Sequence, residues 1–256
     1  MELKPRQIEA FNAVFAALER GVDRQLGSLP TGTGKTVLAC HVARQFKRTL
    51  FLVHREELVA QTAATMTRID PGLLQGFIRP GQHDVAPFTV GMNQTIYNRL
   101  SKLPPDSFDC VIQDEAHHAA SKTFRETLDH FTPRLRLGLS ASPERLDGLA
   151  LSNLFSEISY SMTLADAVNE NLLVPPSAIQ CLTSVNISAV HTRGGDLAED
   201  ELAALVDDPA RNAFIASKFL EHCPGRRAIA FAVNIAHAQN LVEAFRAVGV
   251  KAEWIS

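Results

Sequence analysis

No segment of the chain runs for about 18 or more uninterrupted apolar residues, the length a membrane-crossing helix needs, so no membrane span is predicted. Cysteine is scarce: Cys40, Cys110, Cys181 and Cys223 stand far apart in 256 residues, with no Cys-x-x-Cys pair. That spacing argues against a zinc site and a disulfide scaffold and predicts a reducing compartment, the cytoplasm. Cys110 lies in an apolar run and reads as a small core hydrophobe. The opening Met1-Glu2-Leu3-Lys4 lacks the charged-then-apolar pattern of a secretory leader. Positive charge is not in excess either. Lys and Arg number 25 against 28 Asp and Glu. The first 174 residues carry 18 against 19, and the remainder 7 against 9. This balance is not that of a simple nucleic-acid-binding patch, so any contact with a nucleic-acid backbone is expected from a few loops and not from a basic face. No internal repeat or low-complexity stretch stands out.

What is present is ample apolar content, 46% of the chain, enough for one large or two modest domains. Ile8, Phe11, Val14, Phe15 and Leu18 recur at helical spacing and predict an amphipathic helix over residues 5–20. Short apolar runs predict strands over 25–29, 49–53, 88–92, 110–113, 135–139 and 157–163, alternating with helices over 37–46, 56–66 and 164–173. Such alternation is the signature of a parallel sheet covered on both faces. Residues 71–87, rich in Pro, Gly, His and Asp, read as a surface excursion around a short strand over 74–78. Pro175-Pro176 cannot extend a helix and marks a boundary between domains 1–174 and 175–256. Beyond it, strands are expected over 178–185, 227–233 and 251–255, a turn over 193–196, and helices over 197–206, 211–221 and 237–248.

The sharpest local pattern is Leu29-Pro30-Thr31-Gly32-Thr33-Gly34-Lys35-Thr36, placed between a short apolar run and an amphipathic segment. Backbone N–H groups of a glycine-containing turn converge on phosphates without side-chain obstruction, and the following helix adds its positive end. Lys35 supplies a mobile charge, and the Thr36 hydroxyl is placed for Mg²⁺. The strict pattern wants glycine where Leu29 stands, and a bare Gly-Lys-Thr also arises by chance. Downstream, Asp114-Glu115-Ala116-His117-His118 follows an apolar strand, which puts both carboxylates at its carboxyl end. There Asp114 can hold a metal shell while Glu115 polarises a water. A helix N-cap is the plainer reading of an acidic pair at that place. Adjacent His117 and His118 point apart and do not make a metal site.

Several ordered blocks resemble superfamily 2 helicases of the DEAH-bearing group, related to restriction-enzyme motor subunits and excision-repair helicases. Leu3-Lys4-Pro5-Arg6-Gln7 is similar to the adenine-reading block, and residues 29–36 to motif I, where the missing early glycine is tolerated. His54 and Arg55, in Val53 to Gln61, are similar to motif Ia, and Asn93-Gln94-Thr95 to the small block ending in Gln-Thr. Asp114 to His117 matches motif II. Leu139-Ser140-Ala141-Ser142-Pro143 is similar to motif III, with serines keeping the hydroxyls of the usual threonines. Residues 228–233 with His237-Ala238 are similar to the start of motif IV. Lys35 and Asp114 are 79 residues apart and Asp114 and Ser140 are 26 apart, spans that fit whole βα units of one sheet.

The resemblance implies an α/β fold, a RecA-like parallel sheet followed by an incomplete second RecA-like domain. It implies ATP and Mg²⁺ as the ligands. Arg6, Gln7, Pro30, Thr31, Gly32, Thr33, Gly34, Lys35 and Thr36 would bind nucleotide, and Thr36 and Asp114 the metal. Lys35, Asp114 and Glu115 would be catalytic, with His117, Ser140 and Ser142 coupling the site to nucleic acid. His54, Arg55, Gln94 and Thr95 would touch that nucleic acid, DNA more than RNA, without reading its sequence. His54 and Arg55 also read as surface charges, Gln94 and Thr95 as helix caps, Ser140 and Ser142 as turn hydroxyls, and His237 as a helix surface residue. Arg226, Arg227 and Arg246 match no arginine-finger block, a feature worth about 10³–10⁵ in rate. The chain is thus expected to be a truncated motor that binds Mg²⁺–ATP and hydrolyses it poorly. Two alternatives remain: a nucleotide-dependent binding module without turnover, and the motor part of a restriction endonuclease.

Overall fold

The computed structural model describes residues 1–117, 121–141, 152–183, 185–188, 190–193 and 196–255. The chain divides into two compact units, Met1–Pro175 and Pro176–Ser256.

The first unit is built on an eight-stranded sheet. Its strands are β1 (Arg24–Ser28), β2 (Thr49–Val53), β3 (Gln75–Arg79), β4 (Gln82–His83), β5 (Phe88–Met92), β6 (Cys110–Gln113), β7 (Leu135–Ser140) and β8 (Glu157–Ser161). They lie in the order β4-β3-β5-β2-β6-β7-β1-β8. Every pairing is parallel except the β3–β4 hairpin at one edge. Helices α1 (Pro5–Glu19), α2 (Lys35–Ala43), α3 (Glu56–Ile69), α4 (Asn93–Tyr97), α5 (Lys122–His130) and α6 (Leu164–Asn169) connect or flank these strands. Successive strand residues face opposite ways, and the central strands are apolar on both sides. Phe51 and Val53 of β2 join Val14, Leu38, Val42, Val59 and Met66 from α1, α2 and α3 in one core. Leu50 and Leu52 of the same strand join Ile96, Phe124 and Leu128 from α4 and α5 in the other. Both faces are covered, as a parallel sheet requires.

Two buried polar side chains tie helices to this layer. Gln25 is fully buried, and its Nε2 donates to the carbonyls of Val14 (3.0 Å) and Val22 (2.8 Å), fixing α1 to β1. Arg136 on β7 donates through Nη2 to the Leu128 carbonyl (2.6 Å) and faces Asp129 at 3.4 Å, which pins α5.

The expected strands and helices of this unit form within a few residues of their predicted bounds, with one difference. Residues 71–87 are not merely an excursion. β3 runs parallel to β5 and closes on β4 through a turn with Gly81 at φ 76°, so the segment forms the edge of the sheet.

The second unit contains α7 (Glu199–Val206), α8 (Pro209–His222), α9 (Ile235–Ala247) and a two-residue ribbon of β9 (Thr192–Arg193) with β10 (Asp196–Leu197). The turn expected over 193–196 falls partly on residues 194 and 195, which lie outside the described residues; β9 and β10 flank them. Phe219 and Phe245 meet edge-on at 5.5 Å between α8 and α9. Asp208 and Asn234 cap the two helices through their side chains. His237, expected as readily on the surface, is buried. Its Nδ1 accepts from the Val233 N–H and its Nε2 lies 3.3 Å from Asn212 Oδ1. The strands expected over 178–185, 227–233 and 251–255 are not present in the described residues. Apolar, strand-prone composition makes a strand only where a neighbour offers the ladder bonds. Here Ile229 and Phe231 are 80% and 93% exposed instead.

Gly138 on β7 is a tight place in the sheet, since a Cβ there would sit 2.6 Å from Phe155 Cζ and 2.8 Å from Leu26 Cδ1. Gly138→Ala is expected to lower unfolding stability by about 1–3 kcal/mol in urea titration, with partial recovery on adding Phe155→Leu. An unchanged midpoint would show that the β7 face is not packed in this way.

Candidate nucleotide site

Five parallel strands end on the same edge of the sheet, and the residues singled out by their patterns follow those ends. β1 leads into residues 29–36, β7 ends at Ser140, β6 leads into Asp114, β2 into His54 and Arg55, and β5 into Asn93-Gln94-Thr95. The carboxyl edge of an open α/β sheet is where ligands bind.

The loop after β1 has the backbone of an anion cradle. Gly32 and Gly34 sit at φ 88° and 90°, a region costly for residues with a Cβ. Gly34 is the N-cap of α2, so Lys35 and Thr36 are the first residues of a helix whose opening N–H groups have no intrahelical partner. The loop is braced from inside. The Thr33 hydroxyl donates to the Pro30 carbonyl (2.8 Å), and the Leu29 N–H donates to the Ser140 carbonyl (2.9 Å). Gln7 is buried beneath the loop. Its Nε2 donates to the carbonyls of Thr33 (3.0 Å) and Gly34 (3.2 Å), and its Oε1 accepts from the Lys4 N–H (2.8 Å). A Cβ on Gly34 would lie 2.3 Å from that Nε2. Both ends of the Gln7 amide are therefore engaged within the protein. Its neighbour Arg6 points outward and is held by Glu170 and Glu9.

Lys35 reaches back toward the acidic strand tip. Its Nζ donates to the Leu29 carbonyl at 3.4 Å and stands 3.8 Å from Glu115 Oε1, with the side chain only 9% exposed. Glu115 also meets His117, Oε2 to Nδ1, at 3.3 Å. It is one of the few residues other than glycine in the left-handed region, at φ 48°. That conformation turns the chain sharply, so that Asp114 and Glu115 face one space. Asp114 is buried. Its N–H donates to the Leu52 carbonyl (3.0 Å), and its Oδ1 accepts from the Glu115 N–H (3.0 Å). Burial first, and the Glu115 charge second, push its carboxyl above the usual range, against the pull of that hydrogen bond and of Lys35. A buried carboxylate held at a cost beside a lysine and an anion cradle is a donor set that suits a metal–triphosphate. Among the described residues no group of three or more His, Cys, Asp or Glu could hold a metal by itself. A magnesium site completed by substrate phosphates needs only one or two carboxylates.

The remaining candidates are spread along the same edge. Ser140 is buried at the end of β7, between β6 and β1. Ser142 lies outside the described residues, as does His118. Arg55 is the exposed N-cap of α3, beside the partly buried His54. Gln94 is exposed and donates to Asn98 Oδ1 (3.3 Å), whereas Thr95 is buried. Asn93 stands in the block ending in Gln-Thr, where no role falls to it from the sequence. It is buried, and neither its Oδ1 nor its Nδ2 has a hydrogen-bond partner. Its place beside Gln94 was the available signal.

With this geometry established, comparison with known proteins identifies the group. The family model for the type III restriction enzyme res subunit matches residues 1–145, more than half of the chain. The chain belongs to this family. It is a superfamily 2 helicase-type protein with the RecA-like fold. It is 28% identical to the Saccharomyces cerevisiae protein named as an ATP-dependent helicase, IRC3, over 99% of this chain and 40% of that one. It is 33% identical to the Sulfurisphaera tokodaii protein named DNA 3'-5' translocase XPB2, over 58% of this chain and 32% of that one. Among solved structures, a fragment of an HsdR subunit of a type I restriction enzyme from Vibrio vulnificus YJ016 superposes with a TM-score of 0.70. That match has 22% identity and covers 94% of this chain and 44% of that one. The ResIII-family chain described here thus spans less than half the length of each of these proteins.

The raised Asp114 carboxyl gives a signed expectation. Its folded-state value lies above its unfolded one, so the charged form costs stability as pH rises through that folded value. Asp114→Asn should therefore melt higher than the parental chain near neutral pH. The difference should shrink below about pH 4, where the carboxyl is protonated in both states. A lower melting temperature for the variant at neutral pH would contradict this reading of the site.

Proposed function

We propose that this chain is the ATP-hydrolysing part of a nucleic-acid motor, coupling hydrolysis to ADP and phosphate with movement on DNA. The observation that carries the reading is the meeting of Lys35 with Glu115 beside the buried Asp114, at the mouth of a glycine cradle. In this reading the triphosphate lies over the N–H groups of residues 32–36, and Lys35 leaves Glu115 for the terminal phosphates. Thr36 and Asp114 would hold Mg²⁺, which supplies charge neutralisation on the phosphates. Glu115, freed from Lys35, takes the proton of the attacking water, and His117 steadies its other oxygen. Ser140, joined to the loop through the Leu29 N–H, carries the loss of phosphate to the loops after β2 and β5. There His54, Arg55, Gln94 and Thr95 would meet the nucleic-acid backbone, with sequence-tolerant and salt-sensitive contacts.

Preference for DNA draws on relatives: the Sulfurisphaera protein is named a DNA translocase, and the restriction enzyme LlaBIII has been solved bound to DNA. The chain would work as a helicase or as a restriction-type motor whose nuclease is elsewhere. Domains 1–174 and 175–256 are read as the ATP-binding domain and the start of a second one. Four free cysteines fit a reducing compartment such as the cytoplasm.

Phosphate release measured with single-stranded DNA, duplex DNA and RNA in parallel tests the reading. DNA is expected to stimulate release more than RNA does. Lys35→Ala and Glu115→Gln should each cut the stimulated rate by about 10²-fold or more. Parental turnover in the Lys35→Ala protein would defeat the assignment. Tight ATP binding with no turnover under any condition would leave only a nucleotide-dependent binding module.

A further inference from the structure

The tail of the first unit carries none of the recognised blocks, yet it touches the phosphate loop. After α6 the chain folds back. The N–H groups of Leu172 and Leu173 donate to the Ala167 carbonyl at 2.9 and 3.0 Å, and Asn171 takes the left-handed turn at φ 56°. This turn lays Leu173 against Gly32, where an added Cβ would sit 3.1 Å from Leu173 Cδ2. Three residues earlier, Glu170 grips Arg6. The Arg6 Nε donates to Glu170 Oε2 at 2.6 Å, and an Nη donates to the second oxygen. Arg6 adjoins Gln7, whose amide holds the same loop at Thr33 and Gly34. The loop is thus held at Gly34 by Gln7 and flanked at Gly32 by Leu173. The two segments that do this are joined by a two-point ion pair.

We propose that residues 170–173 belong to the nucleotide site, with Leu173 as a positioning residue for the phosphate loop and Arg6–Glu170 as the tie that keeps it there. The inference rests on the nucleotide-binding reading above. An exposed ion pair adds little stability by itself; the consequence here is orientation. Gly32 has no side chain to restrict its backbone, so a leucine against it confines the loop from outside. A triphosphate then binds a loop whose N–H groups already converge, and less ordering is left to be done. The same contact ties occupancy of the loop to order in the segment just before Pro175-Pro176.

Binding of a fluorescent ATP analogue with Mg²⁺, followed in the parental chain, Leu173→Ala, Leu173→Met, Glu170→Gln and Lys35→Ala, tests this. Leu173→Ala and Glu170→Gln should weaken binding about three- to tenfold at an unchanged melting temperature. Leu173→Met, which keeps the apolar reach, should restore most of the affinity. In the parental chain the nucleotide should also slow amide exchange at residues 170–173, and Leu173→Ala should abolish that protection. Parental affinity in Leu173→Ala, together with no nucleotide-dependent protection, would overturn the inference. If Lys35→Ala still lost binding, the nucleotide site itself would stand. Absence of binding by the parental chain would overturn both.

Discussion

Two parallel pairings, β1 on β7 and β7 on β6, hold the phosphate loop two strands away from the acidic strand tip. That separation is about 10 Å at the spacing of neighbouring strands. It is a distance that one extended lysine can shorten but that a shift of register would spoil. The register is fixed by burial on both faces, since slipping a strand by one residue would turn its side chains to the wrong core. Lys35 therefore reaches Glu115 because Leu135, Leu137 and Leu139 pack on one side of β7 and Gly138 lets Phe155 close on the other. The chemistry of the edge is a consequence of how the sheet is packed beneath it.

The same arrangement orders the edge by role. Strand order places Ser140 between the acid pair and the phosphate loop, and the ends of β2 and β5 on the far side of the acid pair. The candidate phosphate-binding loop and the candidate nucleic-acid loops thus occupy opposite halves of one edge, with Asp114, Glu115 and His117 between them. The hydrogen bond from Leu29 to Ser140 and the contact from Glu115 to His117 are the physical links along that line.

Much of this was legible in the chain because the signals were local. A Gly-x-Gly-Lys-Thr turn after a strand, and an acidic pair after another, each need only a few consecutive residues. The bounds of β2, β5 and β6 followed from short apolar runs between turn-forming residues. What was not legible depends on residues distant in sequence. Gln7 stands in a block similar to the adenine-reading one, and nothing local shows that its amide would hold carbonyls 26 and 27 residues away. Leu173 and Glu170 carry no pattern that ties them to Gly32 and Arg6. Strand-like runs such as 227–233 mislead for a related reason, because composition records a preference for pairing but not whether a partner strand is at hand. His237 carries no local mark of burial, and only the fold brings Asn212 and the Val233 N–H around it.

The central claim, that the glycine cradle and the acidic strand tip together hold a triphosphate, is tested most directly by a crystal structure of the chain with Mg²⁺ and a non-hydrolysable ATP analogue. The account predicts terminal phosphates over residues 32–36, Lys35 withdrawn from Glu115 to meet them, and Asp114 turned to the metal. An analogue bound away from residues 32–36, or one seated there with the Lys35–Glu115 contact unbroken and Asp114 not engaged, would contradict it.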